Sequence, residues 1–309
     1  MANKLYVVGI LLLWAGSMSW LVSQRILPPL VAGESPPNSL LHQRDPVAWR
    51  LSVDGSECGT AVLQALVDDV SVTEIHSRLL LDRLPQPKGG PPWLAAIGET
   101  LEAIGLDVRT RNVFDPLGQL ARFSMSIEIT ELNEPITLTG RIDRGKLKLR
   151  VRSRFFPDRS FEHDWPEQGL LATELMPESK VLSVYMGRKW RKEVFSPFAP
   201  PSAPVEVLDA EVVEVCKPMD DGKPVRACRV EFRSLPASGV SEEGRLRGTM
   251  VVSETGRVLQ HEKFLLGSRI TFDRLSDRES IRLAGSLLEL DRYAAMTKPQ
   301  RPERTPASE

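Results

Sequence analysis

Cysteine is scarce: Cys58, Cys216 and Cys228 are the 3 present in 309 residues, too few for a disulfide framework to hold the chain together. Histidine is nearly as rare. His42, His76, His163 and His261 form no i, i+4 pair, and no Cys-x-x-Cys is present. Those spacings would set metal ligands on one side of an element, so no metal site is expected. Charge of one sign is missing too. The 40 Lys and Arg stand against 41 Asp and Glu, a formal net charge of -1 at pH 7, which leaves no basic field for nucleic acid. Gly-x-Ser-x-Gly, Ser-x-x-Lys and both common glycine-rich phosphate loops are absent. The acidic pairs Asp220-Asp221 and Glu242-Glu243 fall in expected turns, where carboxylates are ordinary solvated residues. No catalytic residue, metal ligand or cofactor is therefore assigned. A hydrolase of envelope polymer, whose two carboxylates meet only in the fold, is the remaining enzymatic alternative.

What is present begins with a membrane signal. Lys4 precedes an uncharged run from Leu5 to Val22, just long enough to cross a bilayer core that needs about 20 helical residues. Trp20 suits the interfacial aromatic belt, and Gln24 and Arg25 suit the headgroup zone. The rival is a cleaved signal peptide with Ala15-Gly16-Ser17 at its site, but apolar residues continue through Trp20, Leu21 and Val22. The run is read as a single-pass anchor in the cytoplasmic (inner) membrane, with the C-terminal domain extracytoplasmic. Both readings send the rest of the chain across the membrane. The expected organisation is an anchor over 1–25, a Pro-rich linker over 26–47, a β-rich domain over 48–297 and a disordered tail over 298–309.

Within the domain the hydrophobic period is mostly two. Phe123, Met125, Ile127 and Ile129 alternate with Arg122, Ser124, Ser126 and Glu128, the mark of a strand with one dry and one wet face. Ile136, Leu138 and Ile142 lead to a turn at Asp143-Arg144-Gly145 and return as Leu147, Leu149 and Val151. Similar hairpins turn at Asp54-Gly55, Asp220-Asp221-Gly222 and Glu254-Thr255-Gly256. One-sided strands belong to antiparallel sheet. The fold expected is mainly β: one large curved antiparallel sheet or half-barrel of roughly eight to eleven strands. One or two helices pack against it. Leu94, Ile97, Leu101 and Ile104 mark a helix over Trp93–Gly105, and Arg278–Met296 carries a second.

Two further features have alternatives. Cys216 and Cys228 flank the Asp220-Asp221-Gly222 turn; with a loop centred on Gly222 they face each other and can bridge, and otherwise they are two small buried hydrophobes. Lys146, Lys148, Arg150, Arg152 and Arg154 share a strand face, and Arg188-Lys189-Trp190-Arg191-Lys192 follows. These could meet anionic headgroups or an acidic partner, but the wet face of a sheet accounts for them more simply.

Met186–Trp190 (MGRKW), Ser196–Phe198, Gly256–Glu262 (GRVLQHE) and Thr271–Arg274, with the opening WRLSVDGSECGTAV at Trp49–Val62, resemble bacterial envelope proteins with a LolA/LppX-like domain. The resemblance implies a curved antiparallel sheet whose concave apolar face shelters a lipid or acyl chain, or is filled by the protein's own helices. The expected function is a non-enzymatic envelope protein that binds an apolar ligand or a partner protein, with Phe123, Met125, Ile127, Leu147 and Leu149 facing the ligand. A structural or assembly scaffold with a filled core is the alternative.

Overall fold

The computed structural model of the chain describes residues 45–68, 71–84, 104–115, 117, 119–130, 135–153, 158–165, 176–195, 205–236, 241, 243–265 and 268–296, together with Trp14 and Ser17. Two antiparallel meanders account for nearly all of it. The first runs β1 (Val47–Val53), β2 (Ser56–Asp68), β3 (Ser71–Leu84), β4 (Ile104–Phe114), β5 (Leu120–Ile129), β6 (Ile136–Asp143), β7 (Lys146–Arg152) and β8 (Arg159–Asp164). The second runs β9 (Lys189–Phe195), β10 (Val205–Cys216), β13 (Ala227–Ser234), β14 (Leu246–Ser253), β15 (Val258–Leu265) and β16 (Ser268–Arg274). A small hairpin of β11 (Met219–Asp220) and β12 (Lys223–Pro224) stands apart, and helix α1 (Asp277–Met296) follows β16.

The meanders are one sheet because β1 pairs on its free side with β16, from Trp49 opposite Arg274 to Val53 opposite Ile270. The resulting order is β8-β7-β6-β5-β4-β3-β2-β1-β16-β15-β14-β13-β10-β9, a 14-stranded sheet, larger than the eight to eleven strands expected. Three hairpins close on two-residue turns with both residues at positive φ: Asp54-Gly55 (50°, 87°), Arg144-Gly145 (52°, 72°) and Asp221-Gly222 (47°, 76°). Such turns match the right-handed twist of the strands they join, and glycine at the second position adopts the conformation without strain.

Alternation then sorts the side chains. One face, called inner here, carries two apolar clusters. The first spans β1 to β7 with β16 and includes Trp49, Leu51, Ile75, Leu79, Met125, Leu147 and Phe272. The second, on β9 to β15, includes Trp190, Leu208, Val230, Phe232 and Met250. Burying one such side chain stabilises by about 1.5–3 kcal/mol.

The helix occupies the other face. Ala284 and Leu283 pack on Ala48 and Val62, a cross-strand pair that alternates with the inner residues Trp49, Ala61 and Leu63. Ser280 Oγ accepts from Ala48 N at 3.0 Å, and the Ala48 carbonyl accepts from Leu275 N at 2.9 Å, satisfying the backbone of β1 beyond the end of β16. A capping box begins the helix: Glu279 N donates to Ser276 Oγ at 3.3 Å, and Ser276 N donates back to Glu279 Oε2 at 3.3 Å. α1 starts one residue before the expected Arg278 and packs against the sheet as expected, on the face opposite the two apolar clusters.

Several other expectations fall partly or wholly outside the described residues. Of the helix expected over Trp93–Gly105, residues 93–103 lie outside those described, and Ile104 and Gly105 open strand β4. β4 escaped notice because Thr110 and Asn112 sit among its inward positions and break the apolar alternation. Strand β1 begins at Val47, which is fully buried. The expected anchor (apart from Trp14 and Ser17), the linker up to residue 44 and the tail over 298–309 lie outside the described residues.

Gly140 on β6 lies between Phe123 on β5 and Leu149 on β7, and the Phe123 ring covers it so closely that a methyl group there would overlap the ring. Gly140→Ala should destabilise the domain by about 1–3 kcal/mol, the usual cost of overpacking. Adding Phe123→Leu should recover part of that loss in urea unfolding. An unchanged urea midpoint for Gly140→Ala would contradict this packing.

Candidate functional site

The five residues expected to face a ligand come together. Phe123, Met125 and Ile127 on β5 and Leu147 and Leu149 on β7 share the inner face, with Ile136, Leu138 and Gly140 of β6 between them. All five are at most 8% exposed and belong to the first cluster. Their row extends toward β8 through half-buried Phe161.

The inner face of the second meander is different, and sequence patterning missed it. His261, on β15, sits between Met250 of β14 and Phe272 of β16. It is buried, its ring centroid is 6.1 Å from that of Phe232, and its Nδ1 has no hydrogen-bond partner. Two ammonium groups flank these rings: Lys192 Nζ lies 5.7 Å from the Phe232 centroid and Lys263 Nζ lies 5.9 Å from the Phe272 centroid. Burial, reinforced by Lys263 and Lys192, pushes the His261 imidazole well below its ordinary value.

Cations also hold an irregular segment, 176–183, against this face. Lys263 Nζ donates to the Met176 carbonyl at 2.8 Å, Lys192 pairs with the Glu178 carboxylate, and Arg274 Nη1 donates to the Ser179 carbonyl at 2.9 Å. Arg188 Nη1 donates to the Leu182 and Ser183 carbonyls at 3.1 and 2.5 Å. Val258 N and Val181 N complete the attachment through Ser179 O and Gly256 O. Arg274 is lowered to about 10, first by burial and then by Arg257, against the opposing pull of Asp277, Asp220 and Asp221. Its Nε, the Ser179 Oγ and the Nε1 of Trp49, its cross-strand neighbour, have no hydrogen-bond partner.

The one sequence signal for this site lies in spacing: Lys192 follows Trp190 by two, and Lys263 follows His261 by two. In β15 a bulge hides it. Gln260 pairs with Val251 while Val258 pairs with Val252, so the extra residue, Leu259, flips the alternation. Counted from Val258 without that bulge, His261 would fall on the wet face; it is a buried inner-face residue. His76 is bonded to Glu74 at 2.9 Å, His163 stacks on Phe161, and His42 lies outside the described residues.

The wet face answers its own charges. Lys146 pairs with Glu162, Lys148 with Asp143, and Arg150 and Arg152 with Asp158. Of the second basic stretch, Lys189 pairs with Glu211 and Arg191 with Asp209. Glu74 is held at about 2, first by the bidentate Arg111. Burial pushes the Asp107 carboxyl up, but Arg78 and Arg109 outweigh it and hold the group below the usual range. Paired charges of this kind describe a solvated sheet face rather than an anion-binding surface.

Cys216 and Cys228 are free. The two-residue turn centres the hairpin between Asp221 and Gly222, so Cys216 falls opposite Ala227 and Cys228 opposite Val215. Adjacent positions point to opposite faces of the sheet, so the register does not place the two thiols for a bridge. Cys58 is buried, and that burial raises its thiol to about 11, leaving it an inert thiol that donates to Leu51 O.

Among the described residues no group of three or more His, Cys, Asp and Glu is placed to hold a metal ion. No described helix is long and apolar enough to cross a membrane.

No family model matches the sequence, and no curated protein matches it. Among solved structures, similarity is found to a beta-barrel-like protein of the domain of unknown function DUF1849 from Brucella abortus. Sequence identity is 9% and the TM-score is 0.44, over 75% of this chain and 95% of that one. The feature in common with the expected LolA/LppX-like domain is coarse: one large antiparallel sheet.

Two outcomes follow for the site. The unfolded imidazole of His261 takes a proton below about pH 6.5 whereas the folded one resists it, so its contribution to stability is complete above that pH and declines as pH falls. His261→Phe should therefore flatten the loss of unfolding free energy between pH 7.5 and 5; an identical slope in both proteins would place His261 in water. Val215→Cys should form a disulfide with Cys228, its direct cross-strand partner. Under the same mild oxidation the unmodified protein should retain three titratable thiols, and loss of two of them would contradict the register.

Proposed function

We propose that the chain is a non-enzymatic, single-pass envelope protein whose sheet domain binds an apolar ligand beyond the cytoplasmic membrane. Residues 1–25 anchor it, residues 26–46 hold the sheet, which starts at Val47, off the bilayer, and the inner face of the first meander receives the ligand. The uncharged run Leu5–Val22 supports the membrane part of this reading. The observation that carries the binding part is the apolar face itself. It continues from Leu149 of β7 to Phe272 of β16, and the described helix packs on the opposite side of the sheet. A face of this kind must be kept from water, by protein or by ligand.

One observation favours a second reading. Phe123, Met125, Ile127, Leu147 and Leu149 are all buried, as in the filled core of an assembly scaffold. Native mass spectrometry of the full-length protein distinguishes the two. An apolar-ligand protein should release from its nanodisc carrying a lipid or acyl-chain adduct that collisional activation removes. A clean apo mass, with a partner protein that survives delipidation, would establish the scaffold instead.

A further inference from the structure

Burying a polar atom without a partner forfeits its hydration with nothing in return, so native proteins seldom leave one. The second meander leaves His261 Nδ1 in that state, on a residue 5% exposed. It does so beside two ammonium groups rather than in a purely apolar setting. The field those groups set at the ring is positive: beyond burial, the influences on the imidazole come from Lys263 and Lys192, both of which oppose its protonation. The walls are apolar and aromatic, formed by Met250, Phe232, Phe272 and Trp190. The chain already brings one acid here, the Glu178 carboxylate paired with Lys192. This polar spot adjoins the apolar face directly, since Phe272, the neighbour of His261, belongs to the first cluster.

From this juxtaposition we infer that the inner face takes a single-chain amphipathic acid, whose carboxylate or phosphate head lies against Lys192, Lys263 and His261 while its alkyl chain runs along the first cluster. The acid's oxygens accept from the two ammonium groups and from the imidazole, and Glu178 marks the place one oxygen takes on Lys192. Charge-assisted bonds in a site shielded from water are stronger than neutral ones, so the acid head selects among ligands of equal chain length. This inference rests on the proposed binding of an apolar ligand and adds its head group.

Isothermal titration of the full-length protein in nanodiscs, corrected with empty nanodiscs, tests it using dodecanoate, dodecyl phosphate and dodecanol. The two acids should bind about tenfold or more tightly than the alcohol, and whichever acid binds tighter assigns the head group. Lys263→Gln should abolish the preference and Lys263→Arg should keep it, which separates loss of charge from loss of fold. The ring-nitrogen signals of His261 should move with dodecanoate and stay still with dodecanol. Equal affinities for acid and alcohol would overturn the head-group inference while leaving the apolar-ligand reading intact. Failure of all three probes to bind would overturn both.

Discussion

Everything in this fold hangs on the pairing of the first strand with the last. Without the ladder from Trp49–Arg274 to Val53–Ile270, the chain would be two separate meanders, each with an additional bare edge. The ladder joins residues more than two hundred positions apart, so closing it costs more loop entropy than any hairpin of the sheet. Its inner side is correspondingly well packed: Trp49, Leu51 and Phe272 are at most 1% exposed. Its outer side is clamped by α1 through Ser280 and the Ala48 backbone. The seam between the two apolar clusters runs here as well, which is why His261 and Arg274 sit next to first-cluster residues.

The two halves of the sheet use the same alternation for different ends. In the first meander the inner positions are mostly apolar from β1 to β7, with Ser77, Thr110 and Asn112 as polar exceptions, and the charges face outward, where Arg78, Asp107, Arg109, Arg111 and Glu74 bind one another. In the second, cations intrude on the inner face and hold the irregular segment 176–183 by its carbonyls. Backbone carbonyls of a segment outside the sheet need partners once buried. Lys263, Arg274 and Arg188 supply them, so part of this buried charge is structural. The unpartnered Nδ1 of His261 is the part such a role leaves over.

Legibility in the sequence followed the length of the periodic signal. Strands β5, β6 and β7 alternate, and β6 turns into β7 at Arg144-Gly145, so their faces, their hairpin and the shared row of Phe123 and Leu149 could be read directly. β4 could not, because Thr110 and Asn112 occupy inward places. The Cys216–Cys228 relationship turned on a single residue of register, and the two-residue turn at Asp221-Gly222 put each cysteine opposite a different neighbour. The buried histidine was hidden by one bulged residue, Leu259.

Local chemistry alone settled the antiparallel hairpins, the one-sided strands, the Ser276–Glu279 cap of α1 and the scarcity of cysteine and histidine, since each depends on residues a few positions apart. Tertiary structure decided which strand β1 would join, which face the helix would cover and which charges would be buried. Those outcomes depend on surfaces that exist only after distant segments meet, and a period of two is the same whether its apolar side meets a helix, another strand or a ligand.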